Sequence, residues 1–206
     1  MTYASASANS ARGLRQSAGR LLIGQPAPRV TTVSLDGSEL RVPRSGLGGP
    51  PRWTLVSFLR YASCPMCNLR MRELNQLLPT LEHEEIDLVI ALHSPEGRAR
   101  QFVPSALAPN AVADPTRVLY RRYGVSPSWL RTLWSVVLPS FYLAWGRAVL
   151  YGYWGGWIDG SFATMPADFL VTPEGRLAAV HYGRHIGDHL GIADLLAAKS
   201  GTAAGV

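Results

Sequence analysis

The chain has 206 residues, of which 47% are hydrophobic and 17% are charged, and its formal net charge is +6. This length and hydrophobic content suffice for one domain with a full core, and nothing calls for a second domain. The arginines are spread along the chain and form no basic patch with interleaved aromatic residues, so the charge argues against a nucleic-acid-binding protein.

The first 23 residues are rich in Ala, Ser and Arg and contain no acidic residue. They lack the long apolar core of a secretory signal. We expect a disordered basic tail at residues 1–23. Without an export signal we also expect a cytoplasmic, reducing compartment, in which a Cys-x-x-Cys pair is more often catalytic or metal-binding than a structural disulfide.

The next part of the chain predicts a β-hairpin followed by a buried strand. The segments rich in β-branched or apolar residues are 30–35, 38–42 and 53–59. Asp36 and Gly37 separate the first two segments as a tight turn. The third segment is nearly continuous in its apolar character, which is typical of a strand with both faces buried.

From residue 65 onward, helical and strand patterns alternate. They predict a helix from Pro65 through most of the stretch to Leu81, a strand at 86–92, a helix from Ser94 to about Val103, a strand at 111–113 and a helix at 116–123. Pro79 should kink or end the first helix, and Ser94 should cap the second. Alternating strands and helices predict an α/β fold.

Residues 125–162 depart from this rhythm and contain five of the six tryptophans. No charge occurs from Thr132 to Gly146, but Arg131, Pro139 and Arg147 keep the apolar run shorter than a membrane span, so we expect no spanning segment. We expect a helical insertion. It either packs on the domain or presents an aromatic surface to a dimer partner, an apolar substrate or a membrane interface.

The last part of the chain predicts a second hairpin and a final helix. Strands at 165–171 and 176–181 flank a Pro-Glu-Gly turn at 173–175. An amphipathic helix should cover 188–199. A flexible C terminus at 199–206 completes the expected organisation.

The only two cysteines, Cys64 and Cys67, lie in the sequence Cys-Pro-Met-Cys between the predicted strand 53–59 and the helix that follows. A helix N-terminus favours thiolate over thiol, because its free N–H groups and its dipole stabilise negative charge. We therefore interpret the pair as a redox site.

The sequence argues against a zinc site and against a pair of inert core cysteines. A zinc site needs four ligands, and His181, His185 and His189 recur every four residues in a segment that Gly183 and Gly187 interrupt, so we predict no metal. Two inert core cysteines would have no packing reason to lie three residues apart at a strand-to-helix junction.

Several short motifs occur in a characteristic order. They are Gly24-Gln25-Pro26-Ala27-Pro28, Asp36-Gly37, Phe58-Leu59-Arg60 before the cysteine motif, Met165-Pro166 before a strand, and Pro173-Glu174-Gly175. Over residues 22–198 this order resembles the thioredoxin-like superfamily, and within it the peroxiredoxin-like proteins of the alkyl-hydroperoxide-reductase/thiol-specific-antioxidant (AhpC/TSA) group.

The resemblance implies a thioredoxin-like domain at 24–198, with a central mixed sheet flanked by helices and interrupted by the Trp-rich helical insertion at 125–162. It also implies thiol chemistry without a bound cofactor, and a cis bond before Pro166 that faces the cysteine pair. Considered without the resemblance, Pro166 is an ordinary trans proline at a strand entry.

The cysteine loop departs from both family patterns. Typical peroxiredoxins have a Pro-x-x-x-Thr-x-x-Cys loop; aligned without gaps, Arg60 stands at the Pro, Cys64 at the Thr and Cys67 at the peroxidatic cysteine, and no residue matches the family's distant Arg. Thioredoxins keep a buried acid in the preceding strand, where this chain has only Ser57 and Phe58. The proton acceptor is therefore unassigned.

The roles of the two cysteines depend on the chemistry. In a thioredoxin-like exchanger Cys64 is exposed and attacks, and Cys67 turns inward and resolves. In a peroxidase Cys67 becomes a sulfenic acid and Cys64 condenses with it. Arg60 either lowers the thiolate pKa and orients an oxygen or is a solvated loop charge, and Pro65 and Met66 should help set the redox poise.

Three functions follow from these features. The first is a cytoplasmic thiol-disulfide oxidoreductase of peroxiredoxin-like character, acting on a hydroperoxide or with a protein thiol/disulfide partner. The second is a redox-switched protein that binds a partner, or forms a homodimer, through 125–162. The third is a copper or zinc carrier that uses both thiolates with His93.

Overall fold

A computed structural model describes residues 19–44 and 52–203. The strands are β1 (Val30–Val33), β2 (Glu39–Val42), β3 (Trp53–Phe58), β4 (Ile86–Leu92), β5 (Ala111–Ala113), β6 (Ala167–Val171) and β7 (Leu177–Tyr182). The helices are α1 (Pro65–His83), α2 (Glu96–Phe102), α3 (Val118–Arg122), α4 (Trp129–Val137), α5 (Pro139–Leu150) and α6 (Ile192–Ala203), and a 3₁₀ helix covers Ser105–Asn110.

The main sheet has five strands in the order β5-β4-β3-β6-β7. Strands β3, β4 and β5 run parallel, whereas β6 pairs antiparallel with β3 and β7 pairs antiparallel with β6. The predicted mixed sheet flanked by helices is thus confirmed. β1 and β2 form a separate antiparallel ribbon.

Both faces of the sheet are buried, because β3, β4 and β6 are nearly continuous apolar runs. Leu55 and Leu59 belong to the core cluster that contains the residues of α1, and Phe58 belongs to the cluster on the opposite face. Side chains alternate along a strand, so Ser57 points to the α1 side of the sheet. From the carboxyl end of β3 the chain continues directly into the loop that leads to the cysteines.

One local prediction about a helix was wrong. Ser94 does not cap α2, which begins after Pro95 without a side-chain cap; its hydroxyl instead accepts a hydrogen bond from the Ala62 N–H. There a tertiary contact outweighs the local sequence signal. Helix α1 contains Pro79 and ends at His83, so Pro79 does not end the helix.

The chain termini lie partly outside the described residues, including positions 1–18 of the predicted tail and positions 204–206. From residue 19 the chain follows β7, where the Leu21 N–H donates to the Tyr182 hydroxyl at 2.8 Å. Helix α6 begins at Ile192, later than predicted, and continues to Ala203. Asp188 does not start that helix, because its carboxylate binds His181 and Arg184.

The expected helical insertion consists of α4, α5 and the loops around them. It packs on the domain through small residues such as Ala148, which is fully buried, and leaves most of its large apolar side chains exposed. Within the described residues no single helix has the length and apolar composition to cross a bilayer; α4 and α5 together meet both criteria but are bent by 79°.

Candidate redox site

The loop between β3 and α1 is held by hydrogen bonds from two other elements. The Ala62 N–H donates to Ser94 Oγ at 2.8 Å. Asn68 Nδ2, on α1, donates to the carbonyl oxygens of Ala62 at 2.8 Å and of Cys64 at 2.9 Å. These bonds fix the backbone immediately before the helix, so the position of the first sulfur is set by β4, α1 and the loop together.

The two cysteines occupy the N-terminus of α1. Cys64 is the N-cap residue, and Pro65 is the first residue of the helix. Both thiols are free, and each cysteine is only 2% exposed. Met66 between them packs into the same core cluster. The backbone N–H of Arg60 donates to Cys67 Sγ at 3.3 Å.

The pKa values of the two thiols are shifted in opposite directions. A hydrogen bond from the Cys67 thiol, the charge of Arg60 and the N–H groups of the first helical turn together lower the pKa of Cys64 from 9.0 to about 6, although burial opposes them. Burial and the negative Cys64 sulfur raise the pKa of Cys67 well above its usual value. At neutral pH, Cys64 is the thiolate and Cys67 the proton-bearing thiol beside it.

Arg60 is part of this buried site, so its interpretation as a solvated loop charge is wrong. Its side chain is 2% exposed, and Nη1 donates to Cys64 Sγ at 3.7 Å. Nη2 donates to the carbonyl oxygen of Phe162. The guanidinium lies 4.8 Å from the ring centroid of Phe162 and 5.4 Å from that of Tyr61. Its Nε is buried and has no hydrogen-bond partner.

A segment of the insertion, residues 153–162, covers the first turn of α1, and we call it the capping loop. Ser63 Oγ donates to the Trp157 carbonyl oxygen at 2.7 Å. A Cβ placed on Gly155 would lie 3.3 Å from Pro65 Cγ. The backbone of the capping loop is therefore in direct contact with the cysteine motif.

This loop corrects one prediction about the cysteines. Cys64 was expected at the exposed end of the helix, but it is as buried as Cys67 because the capping loop lies over it. The Asp159 carboxylate accepts from Ser63 Oγ at 3.1 Å and lies 3.7 Å from Arg98 Nε. The capping loop therefore covers the cysteine motif on the side of Ser63 and Pro65.

Pro166 directly precedes a strand, as its sequence context indicated, but its peptide bond is not the cis bond that the resemblance implied. It precedes β6, one residue beyond the Phe58–Ala167 pair, and so lies beside the carboxyl end of β3. Its carbonyl oxygen accepts the Gly183 N–H at 2.9 Å. Among the described residues the cis bond is Val42–Pro43, so the prediction of a cis bond before Pro166 was wrong. The trans form is the one that a strand-entry proline adopts by default.

Sequence reasoning missed a buried acid, Asp168. It lies opposite Ser57 in the β3–β6 register, and Ser57 Oγ donates to its carboxylate at 2.6 Å. His189 Nδ1 lies 3.0 Å from the same carboxylate, and Arg70 on α1 lies 3.8 Å from it. Burial alone would raise the pKa of Asp168, but these partners hold it below its usual range. An acid inside the apolar run Ala-Asp-Phe-Leu-Val was the signal available in the sequence.

The histidines considered as metal ligands have other partners. His189 binds Asp168, and His181 Nε2 lies 3.2 Å from the Asp188 carboxylate. His93 Nδ1 accepts the Ser161 N–H of the capping loop at 2.8 Å. Within the described parts of the chain, no group of three or more His, Cys, Asp or Glu side chains is arranged to hold a metal ion.

A family model of the AhpC/TSA family matches residues 23–180. The fold resembles a peroxiredoxin-like protein from Aquifex aeolicus (TM-score 0.59, 16% identity, 89% of this chain and 90% of that chain covered). It also resembles AhpC of Mycobacterium tuberculosis (0.60, 14%, 90% and 95%). A third similar structure is the thioredoxin domain of a thiol-disulfide oxidoreductase from Bacteroides vulgatus (0.52, 16%, 88% and 98%). No curated protein sequence matches the chain.

Proposed function

The chain belongs to the AhpC/TSA family and is a thiol-dependent oxidoreductase, and from this premise we propose that it reduces hydroperoxides through a Cys64–Cys67 dithiol–disulfide cycle. The observation that carries the proposal is the buried pair itself. A thiolate-forming Cys64 accepts hydrogen bonds from Arg60 and from the Cys67 thiol, which keeps its own proton.

The cycle begins with attack of the Cys64 thiolate on the terminal oxygen of the hydroperoxide; this proposal reverses the roles that alignment with peroxiredoxins implied, because the pKa of Cys64 is lowered and that of Cys67 is raised. The O–O bond breaks, Cys64 becomes a sulfenic acid, and the alkoxide takes the Cys67 proton and leaves as the alcohol. The Cys67 thiolate then attacks the Cys64 sulfur, the S–S bond forms, and the released hydroxide takes a proton from solvent. A dithiol reductant returns two electrons and two protons and restores the pair.

While the capping loop is closed over the reduced pair, burial favours a hydroperoxide over a protein disulfide as the oxidant. Thiol–disulfide exchange requires the attacking sulfur to reach a sulfur of the partner protein. The capping loop lies between Cys64 and a partner protein that binds to the surface. A hydroperoxide needs to present only one oxygen. The unpartnered Nε–H of Arg60 is a donor for that oxygen, on the same guanidinium whose Nη1 contacts the Cys64 sulfur.

The proposal includes a cytoplasmic, reducing compartment, because the cycle needs a continuous supply of reducing equivalents. The reductant we propose is a protein dithiol or a small thiol. To reach the disulfide, a protein reductant requires the capping loop to move away from Ser63 and Pro65.

The test is the rate of thiol loss when fully reduced protein meets stoichiometric hydrogen peroxide, followed by intact mass. We expect an internal disulfide to form far faster than free cysteine oxidises. Cys67→Ser should stop at a Cys64 sulfenic acid that dimedone traps, and Cys64→Ser should leave Cys67 unreactive. Because the chain has no other cysteine, the double variant gives the baseline.

A wild-type rate equal to that of free cysteine would contradict the proposal. Rapid exchange with a disulfide substrate would then assign the site to disulfide exchange. Partner binding that changes with oxidation, without turnover, would instead assign it to a redox switch.

A further inference from the structure

Helix α4 buries its small polar side chains and exposes its large apolar ones, the reverse of an ordinary surface helix. Its small polar residues Thr132 and Ser135 are 1% exposed and face the domain, whereas Trp129, Leu133 and Trp134 are 70%, 69% and 62% exposed. A surface helix of a globular protein normally buries its apolar stripe. Apart from the Trp129 ring, whose centroid lies 6.2 Å from that of Phe162, the apolar side of α4 is left exposed by the described part of the chain.

The same exposure continues along α5 and into the capping loop. We call the exposed apolar side chains of this insertion the aromatic face; its principal members are Trp129, Trp134, Leu143, Trp145, Trp154 and Trp157. Elsewhere in the described residues, large exposed apolar side chains occur singly or as the pair Leu22–Ile23. So many large exposed apolar side chains within one insertion mark an interaction surface.

The two helices of the aromatic face carry charge of one sign. From Trp129 to Leu150 the chain has Arg131 and Arg147 and no acidic residue. Arg147 is exposed, and Arg131 is partly exposed. In a two-fold dimer formed through this surface both copies would present the same positive charge, because an isologous contact pairs a surface with itself. Charge complementarity therefore favours a partner that is apolar and anionic.

We propose that the aromatic face docks on the surface of an anionic phospholipid bilayer. Tryptophan prefers the boundary between acyl chains and headgroups, because its ring is apolar and its indole N–H remains solvated. Arginines at the same level are attracted to anionic headgroups. The 79° bend between α4 and α5 suits helices that lie on one leaflet. This inference goes beyond the proposed function and does not depend on it.

Flotation of the full-length protein with vesicles tests the proposal. We expect binding to equimolar phosphatidylcholine/phosphatidylglycerol vesicles to be at least about tenfold tighter than to phosphatidylcholine vesicles, and to weaken with salt. The double variant Trp129→Ser with Trp134→Ser should lose at least about tenfold in affinity for the anionic vesicles.

The matched control is Ile23→Ser with Val33→Ser, which removes exposed apolar side chains outside the insertion and should bind as the wild type does. An independent variant, Arg131→Gln with Arg147→Gln, should abolish the preference for anionic vesicles, because these arginines lie on the two helices of the insertion. Circular dichroism checks that each variant is folded. Equal binding to both vesicle types, or a folded tryptophan variant that still floats, overturns the proposal. So does a dimer that the tryptophan variant dissociates while no vesicle binding is seen.

Discussion

Gly160 lies directly against the backbone carbonyl of His93, which follows β4. A Cβ at position 160 would be 1.9 Å from the His93 carbonyl oxygen and 2.7 Å from Tyr61 Cβ. The neighbouring Ser161 N–H donates to the His93 ring at 2.8 Å. Only glycine allows the capping loop to approach this closely, so the cover over the cysteines depends on this contact.

Gly160→Ala should lift the capping loop, because the His93 carbonyl belongs to the backbone and cannot yield. We expect native-state alkylation of Cys64 by iodoacetamide to accelerate at least about tenfold, with stability reduced by about 1–3 kcal/mol. Gly146→Ala in α5 is the matched control, since no atom lies within 4 Å of its Cβ position. Unchanged alkylation in folded Gly160→Ala protein would show that the loop does not control access.

Arg60→Gln should raise the pKa of Cys64 from its value of about 6, because it removes the positive charge beside the thiolate. We expect the midpoint of the ultraviolet thiolate titration to rise by about 1–2 pH units. The oxidation rate at neutral pH should fall with the thiolate population. Arg100→Gln, whose exposed side chain pairs with Glu96 on α2, should leave the midpoint unchanged. Equal titration midpoints for the two variants would show that Arg60 does not influence the pKa of Cys64.

The Cys67 thiol is the largest cause of the lowered Cys64 pKa, and two substitutions separate its hydrogen bond from its volume. Cys67→Ser keeps a donor at this position, whereas Cys67→Ala removes it. We expect the titration midpoint of Cys64 to be about 1 pH unit higher in the alanine variant than in the serine variant. Identical midpoints would indicate that Arg60 and the helix N-terminus alone set the acidity.

Asp168→Asn should destabilise the protein by about 3–5 kcal/mol at neutral pH, because it removes the buried charge that pairs with His189 and replaces the oxygen that accepts the Leu190 N–H by an NH₂ donor. Asp87→Asn, which breaks the partly exposed pair with Arg52, is the control and should cost about 1 kcal/mol or less. Urea unfolding measures both.

The pH dependence of Asp168→Asn has a definite sign. The folded-state pKa of Asp168 is lowered, so its stabilisation is fully present above the unfolded-state pKa of about 3.9. It is lost as the pH falls from there toward the folded-state value. The stability difference between wild type and Asp168→Asn should therefore be constant from pH 7 to about pH 5 and shrink in stronger acid. A difference that grows on acidification would contradict this assignment.

Local features of the sequence determined most of the architecture and the position of the cysteine pair. Strand β4 was predicted at its observed bounds, and β3 within one residue. A continuous apolar run of this length is typical of a buried strand, and this signal is contained in the local sequence. The placement of Cys64 and Cys67 at a helix N-terminus was likewise predictable from the local sequence. The predicted helix ends were less accurate, as Ser94 shows. A polar side chain can form its hydrogen bond with a group that is distant in the chain, and the local sequence does not reveal that partner.

Only the tertiary structure decided which groups of the site are buried together. Arg60 reaches a carbonyl 102 residues away, and Ser57 reaches a carboxylate 111 residues away. The burial of Cys64 depends on a capping loop that comes from the insertion, whose own packing turns small residues inward and aromatic residues outward. Burial and pairing set the charge of each group, and both depend on residues that are distant in the chain. The acidity of Cys64 therefore follows from the fold, whereas its chemistry follows from the sequence.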